Sequence, residues 1–416
     1  MKQVLAPVSK RDGTVDILAP SQKLRIIVGG MVGQFPLGGV AWDYLHYVLA
    51  LHELGHEVYY DENTNTWPYD PIKQEPTNDG AFAASFLDAF FSRYCPELRC
   101  RWHFNLLLRE SFGMTREQFD AVAATADIYL NLSGVCILPD MLNHRCKRVF
   151  VDTDPGFNQF GLYNLVKKEG MRCLRFQEVA RHDVFMTYAE NINAPDCDLP
   201  KLNFTWVPTR PVVSLPLWDW CRSVPLKDKA FTTVMTLDFS ASFDGLDYKG
   251  KKYYDKRPEF EKFIDLPLYT NAILRPAINR DLGLERILEK GWQVTPGSSV
   301  SDTPERYQKF IAASYGEWSI AKNVYVEPKT GWFSCRTCCY LAASRPAVLQ
   351  DTAWSRYIPA GEGLMAFSTP DEAAAALEAV MSDYPKHQQA AYEIARNYLS
   401  PNAVLVPALE SIVNAP

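Results

Sequence analysis

Residues 329–352 read KTGWFSCRTCCYLAASRPAVLQDT, and four of them have the types and spacing to hold an anion. Thr330, Gly331 and Ser334 can form a tight turn whose backbone N–H groups and hydroxyls converge. A helix opening directly afterwards would aim its positive end at the same point, and Arg336 adds a formal charge. The chemistry implied is capture of a phosphorylated ligand. Residues 346–349 then read as a short buried strand, and Gln350, Asp351 and Thr352 fall just beyond its carboxyl end, where open α/β sheets bind ligands.

A second group of candidates lies in the first half of the chain. Asp152, Asp154, Asn158 and Gln159 follow a predicted strand in the run TDPGFNQF; they line a polar cleft or form an ordinary Asp-Pro-Gly turn. His182 stands beside Asp183 as a candidate general base, and Glu190 and Asn191 follow another predicted strand. Gly30, Asp154 and Glu190 all come after strands, so they can gather along one sheet edge, where an acceptor would bind. Gly29, Gly30 and Gly33 open a long loop, but the dinucleotide spacing G-x-G-x-x-G is not met. That loop is either widened for a second substrate or purely a turn. Cys335, Cys338 and Cys339 lack a second cysteine pair or a ligand-spaced histidine set, so they are expected to pack along a helix and no metal is expected.

The elements that must position these residues are βα units. Residues 24–30 read as a buried strand, 42–54 as a helix and 56–60 as the next strand, with Asp61 and Glu62 at its end. Further strands are expected at 127–132 and 148–152. Prolines at 208, 211, 216 and 225 mark a linker, after which FTTVMTL begins a second βα region with helices at 283–290, 304–313, 371–383, 387–398 and 403–413. The expectation is an α/β chain of two doubly wound Rossmann-like domains facing across a cleft. Its parts are a lead-in at 1–22, a first domain at 23–205, a linker at 206–226, a second domain at 227–385 and terminal helices at 386–416.

Composition narrows the function classes. The 416 residues are 47% hydrophobic with a formal charge of -6 and no long basic run, so a dedicated nucleic-acid surface is not indicated. Ten cysteines in so long a chain are not a disulfide framework. The first residues lack the apolar core of a signal peptide, and no apolar run reaches the roughly 20 residues that span a bilayer. A cytoplasmic protein is the default expectation.

Residues 330–352 resemble the nucleotide-sugar-binding region of bacterial two-domain glycosyltransferases of the GT-B fold, with a C-terminal half like that of families 1 and 4. GWFS at 331–334 is similar to the Gly-Trp-Asn-Ser turn that holds the donor diphosphate, and Arg345-Pro346 matches the step into the following strand. LGHEV at 54–58, PAGEGLMAF at 359–367 and EIARNYL at 393–399 are similar to further segments of those enzymes. The resemblance implies that Gly331, Ser334, Arg336 and Lys322 bind the donor diphosphate and that Asp351, Gln350 and Glu317 bind the donor sugar. It implies an acceptor-side loop at Gly29, Gly30 and Gly33, and a last helix that crosses back to the first domain. The implied reaction is metal-independent transfer from a nucleotide-diphosphate sugar, a UDP-sugar foremost, to an unidentified acceptor, with no cofactor. The base would be His182, with Asp154 or Glu190 as substitutes. Retaining members carry two glutamates separated by seven residues, whereas the glutamate after Glu317 is Glu327, which tilts the reading toward inversion. A sugar-nucleotide epimerase or hydrolase of the same fold, or a noncatalytic sugar-nucleotide-binding subunit, are the alternatives.

Overall fold

The computed structural model describes residues 22–73, 75–237, 244–279 and 283–415; the expected lead-in lies, up to residue 21, outside the described residues. Apolar runs with little alternation build the strands, as parallel strands covered on both faces require. The first sheet draws on β1 (Arg25–Gly29), β2 (Glu57–Glu62), β3 (Trp102–Leu106), β4 (Glu110–Gly113), β5 (Ile128–Leu132), β6 (Lys147–Asp152), β7 (Val184–Thr187) and β8 (Trp206–Pro208). Their spatial order is β8-β7-β6-β5-β1-β2-β3-β4, all parallel except the β3/β4 pair. Helices α1 (Gly38–Glu53), α2 (Ala81–Tyr94) and α3 (Phe157–Glu169) belong to this half. The order reverses between β1 and β5, which makes that crevice the topological switch point.

The second sheet repeats the plan. It holds β9 (Ala230–Thr236), β10 (Ile273–Asn279), β11 (Thr295–Pro296), β12 (Gly316–Ser319), β13 (Ala347–Gln350) and β14 (Leu364–Phe367), in the order β11-β10-β9-β12-β13-β14. Its switch point lies between β9 and β12. Helices α4 (Pro304–Ala313), α5 (Cys335–Ala342), α6 (Pro370–Ser382), α7 (Tyr384–Ile394) and α8 (Pro401–Val413) follow in chain order. Pro at the first helical position behind a Thr cap starts both α4 and α6. The terminal helix α8 packs on α1 and β6, and Lys147 Nζ donates to the Ala415 carbonyl at 2.8 Å. Among the described residues no helix is long and apolar enough to cross a membrane.

Three differences from the sequence expectations have physical causes. Asp61 and Glu62 belong to β2 itself and are fully buried, because each finds hydrogen-bond donors there. The proline-rich stretch contributes β8 to the sheet and a 3-10 helix, Leu215–Ser223, before the second domain. The sequence reading missed β10 because Pro276 sits at its centre. That position is tolerated because β11 pairs only with Ala277 and Ile278, leaving residue 276 without a partner on that side.

The halves meet through backbone as well as side chains. The Cα of Gly38 lies so close to α4 that a Cβ there would come 2.3 Å from the Thr303 carbonyl oxygen, and Trp42 Nε1 donates to the Pro304 carbonyl at 3.0 Å. On the other side of the cleft, Asn191 N donates to the Thr330 carbonyl at 3.0 Å and Trp332 Nε1 to the Thr153 carbonyl at 3.2 Å. Gly331 makes that contact possible: its φ is +78°, and a Cβ would lie 2.7 Å from Asn191 N. Gly331→Ala is therefore expected to lower stability by about 1–3 kcal/mol, measured as a drop in the urea unfolding midpoint.

Candidate functional site

The site grows from the second sheet's switch point. Glu317, in β12, is fully buried, and Arg336 reaches it from the first turn of α5 with Nε to Oε1 at 2.6 Å. The same guanidinium donates to the Val234 carbonyl of β9 at 2.9 Å and to Ser319 Oγ at 2.6 Å. It therefore ties α5 to both strands that flank the crevice. The concavity beside it is lined by Ser319, Ser334, Arg336, Thr337, Gln350 and Trp354 among others. Thr337 Oγ1 and Glu317 Oε2 are buried there without a hydrogen-bond partner among the described residues. The first N–H groups of α5 have no acceptor within the helix, which adds donors at this end.

Two lysines complete a positive cluster. Lys256 is buried, forms no ion pair among the described residues, and sits just before the short helix Arg257–Lys262. Burial, with Arg336 and Lys322 nearby, holds its ammonium well below the usual lysine range. Its helix is anchored underneath by Glu259, which is fully buried. That carboxylate accepts from Lys262 Nζ at 2.9 Å, Asn323 Nδ2 at 2.8 Å and Gln350 Nε2 at 2.6 Å. Lys322 crosses the cleft, with Nζ 3.2 Å from both carboxylate oxygens of Asp154 and 4.4 Å from the centroid of the Phe157 ring.

The first domain answers with carboxylates and hydroxyls at its own switch point. Asp43, in the second turn of α1, is half-buried within reach of the Cys335 thiol, Asp154 and Lys322. Burial raises its pKa to about 6, a shift that the Cys335 hydrogen bond opposes and the Asp154 charge reinforces. Tyr44 Oη lies 2.7 Å from Ser133 Oγ, which in turn bonds the Thr153 hydroxyl. These groups can orient a hydroxyl compound and take its proton.

Several sequence expectations need correction. His182 is a packing residue: its Nδ1 bonds the Val179 carbonyl at 2.9 Å, its Nε2 accepts from Asn131 at 3.1 Å, and Phe150 packs edge-on to the ring. Burial pushes its pKa down to about 4. It precedes β7, whereas Asp154 follows the parallel strand β6, so the two stand at opposite ends of the sheet. Glu190 is buried against Arg210, Oε1 to Nε at 3.1 Å, in the loop that packs on Gly331. The Gly331 N–H is spent on the Thr352 carbonyl at 2.7 Å rather than left for an anion. Asp351 caps a short turn, accepting from Ala353 N at 2.8 Å and Ser355 Oγ at 2.8 Å. Gln350 lines the concavity but accepts from Ala321 N at 3.1 Å and is bonded to Glu259. The expected open loop is cinched: Gly33 N donates to Glu62 Oε1 at 2.5 Å and Gln34 N to Oε2 at 3.1 Å, while Gly29 and Gly30 pack under Tyr129 and Tyr60.

Arg336, Ser334, Lys322 and Asp154 are thus the expected residues that the fold brings together, and Asp43 and Lys256 are the ones that sequence reasoning missed. Asp43 carried a weak signal, being the only carboxylate in the first turns of the helix that follows the glycine loop. Lys256 carried none among its neighbouring lysines. Removing one partner of a buried ion pair leaves the other charge uncompensated. Arg336→Ala is therefore expected to cost about 3–5 kcal/mol in urea unfolding, and the double variant Arg336→Leu/Glu317→Leu to recover most of it.

No family model matches this sequence, and no curated protein matches it. Solved structures do, over nearly the whole chain. An α-glucosyltransferase solved with UDP and a 13-mer DNA containing a HMU base is similar at a TM-score of 0.53 and 12% identity, covering 94% of this chain and 100% of that one. HepE from Anabaena, solved with UDP-glucose, gives 0.53 at 11% identity over 94% and 99%. Sucrose-phosphate synthase from Thermosynechococcus elongatus gives 0.52 at 12% identity over 93% and 98%. The fold is that of the GT-B proteins, two Rossmann-like domains around a cleft.

Proposed function

We propose that this chain moves a sugar from a nucleoside diphosphate sugar, a UDP-sugar foremost, to an acceptor hydroxyl or other nucleophile. The observation that carries the reading is a cluster of three basic side chains at the second sheet's switch point, Arg336, Lys322 and the buried Lys256, with the Asp43 carboxylate near Lys322 from the other side of the cleft. Basic groups gathered in one largely buried place repel one another unless an anion arrives among them. The solved GT-B structures that hold UDP or UDP-glucose support a nucleoside diphosphate as that anion.

In the proposed reaction Lys256, Lys322 and the N–H groups at the start of α5 take up charge as the diphosphate leaves, work that needs no metal ion. Arg336 lends its charge while staying tied to Glu317. Asp43 accepts the proton of the attacking hydroxyl, and Asp154, released by Lys322, holds the acceptor. A single displacement assisted by such a base inverts the anomeric centre. Donor–product pairs resolved by proton NMR report the configuration, and unchanged kcat/KM on adding magnesium or manganese reports metal independence.

Lys256→Met is expected to raise the unfolding midpoint of the free protein and to weaken UDP binding by about tenfold or more in calorimetry. Unchanged UDP affinity would remove the lysine from the donor site. Asp43→Asn is expected to lower kcat by roughly 10²–10⁴ while leaving UDP affinity within about twofold. A base works as its carboxylate, so kcat/KM of the unaltered protein should fall about tenfold per pH unit below about 6 and level off above it. A limb that survives in Asp43→Asn would assign the titration elsewhere. Turnover of donor without any acceptor dependence would favour the hydrolase or epimerase reading.

A further inference from the structure

Helices α1 and α2 end at the same corner of the first domain, held side by side by Trp42 against Phe90 and Tyr94, with ring centroids 5.4 and 4.9 Å apart. His52 lies in the last turn of α1, Cys95 directly follows α2, and Glu97 lies in the next short turn, Pro96–Leu98. One ligand atom from each of the three lies within 4.8 Å of the other two. Cys95 Sγ and Glu97 Oε2 are 3.5 Å apart. A tetrahedral zinc ion with Zn–S of about 2.3 Å and Zn–O of about 2.0 Å sets its sulfur and oxygen ligands about 3.5 Å apart, so that edge is already formed. Closing the other two edges takes a rotation of the half-buried imidazole.

We propose that His52, Cys95 and Glu97 form a zinc site that staples the ends of α1 and α2. Besides each other, Cys95 and Glu97 meet the backbone N–H groups of Leu98 and Glu97. Among the described residues neither ring nitrogen of His52 has a hydrogen-bond partner, and no lysine or arginine pairs with Glu97. The thiol is buried, the imidazole half-buried and the carboxylate exposed, so an ion can enter from solvent and keep water as its fourth ligand. A sulfur, an imidazole nitrogen and one carboxylate select zinc over calcium or magnesium, which require mostly oxygen. On binding, the Cys95 S–H bond breaks, the zinc–sulfur bond forms and the proton passes to solvent. The role is structural: nine residues of helix, roughly 14 Å, separate His52 from Asp43.

Cobalt(II) as a spectroscopic substitute tests the assignment. The full chain is expected to bind one equivalent with a thiolate-to-cobalt charge-transfer band in the near ultraviolet, displaced by zinc. Cys95→Ala should abolish the band, Cys100→Ser should keep it, and zinc should raise the unfolding midpoint of the unaltered chain but not of Cys95→Ala. The absence of a band at one equivalent, or a band that survives Cys95→Ala, overturns the proposal. Should Cys95→Ala fail to fold, His52→Ala and Glu97→Gln decide. At least a tenfold loss of cobalt affinity in both upholds the site, and unchanged affinity in both overturns it.

Discussion

The buried pair of Glu317 and Arg336 is the interaction on which the cleft depends. Arg336 stands in the first turn of α5, where the helix dipole and the free N–H groups already present positive charge, so a guanidinium there is disfavoured without a counter-charge. Glu317, rising from β12 with no water around it, supplies that charge at 2.6 Å. Each group would be costly alone in the interior; together, with the Val234 carbonyl and Ser319 hydroxyl also bound, they fix the register of α5 on β9 and β12. The net result is a helix end that remains electropositive yet is held rigidly over the switch point.

From that anchor the rest of the second domain's side of the cleft follows. With α5 fixed, Ser334 and Thr337 face the concavity, and Glu259 holds the loop at Asn323 and the end of β13 around it. Lys256 then enters a place already occupied by two cations. Its burial beside them, with the Glu317 and Asp154 charges only partly offsetting theirs, is a local conflict of the structure, and conflicts of this kind concentrate where a ligand resolves them. The opposing domain brings a carboxylate to the same place: Asp154, after β6, lies 3.2 Å from Lys322.

Most of the fold was legible in the sequence, since buried parallel strands announce themselves as apolar runs and α4 and α6 open with a Thr cap followed by Pro. What escaped were β10, with Pro276 inside it, and β3 and β4, which lie between the strands expected at 56–60 and 127–132. The site was legible in part. The placement of Arg336, Lys322, Ser334 and Asp154 around the cleft was readable because a helix start or a strand end is readable. Glu317, Gln350 and Asp351 were placed correctly in the chain but are engaged with Arg336, with Ala321 and Glu259, and with Ala353 and Ser355, because sequence does not say which way a side chain turns. His182 failed for the same reason, its two nitrogens being used by Val179 and Asn131.

The ion pair between Lys322 and Asp154 spans the cleft, yet it is not what closes it. Its side chains are 23% and 40% exposed, so it contributes at most about 1 kcal/mol. The stronger ties are the dry contacts at either side: Gly38 and Trp42 against the start of α4, and the Asn191 loop against Gly331. These lie outside the cation cluster and need not break when an anion enters. In the proposed reaction a diphosphate would replace Asp154 at Lys322 for little cost, and the displaced carboxylate would be set free in the same space, next to Asp43. In this arrangement, loading the donor would itself prepare the groups that receive the acceptor.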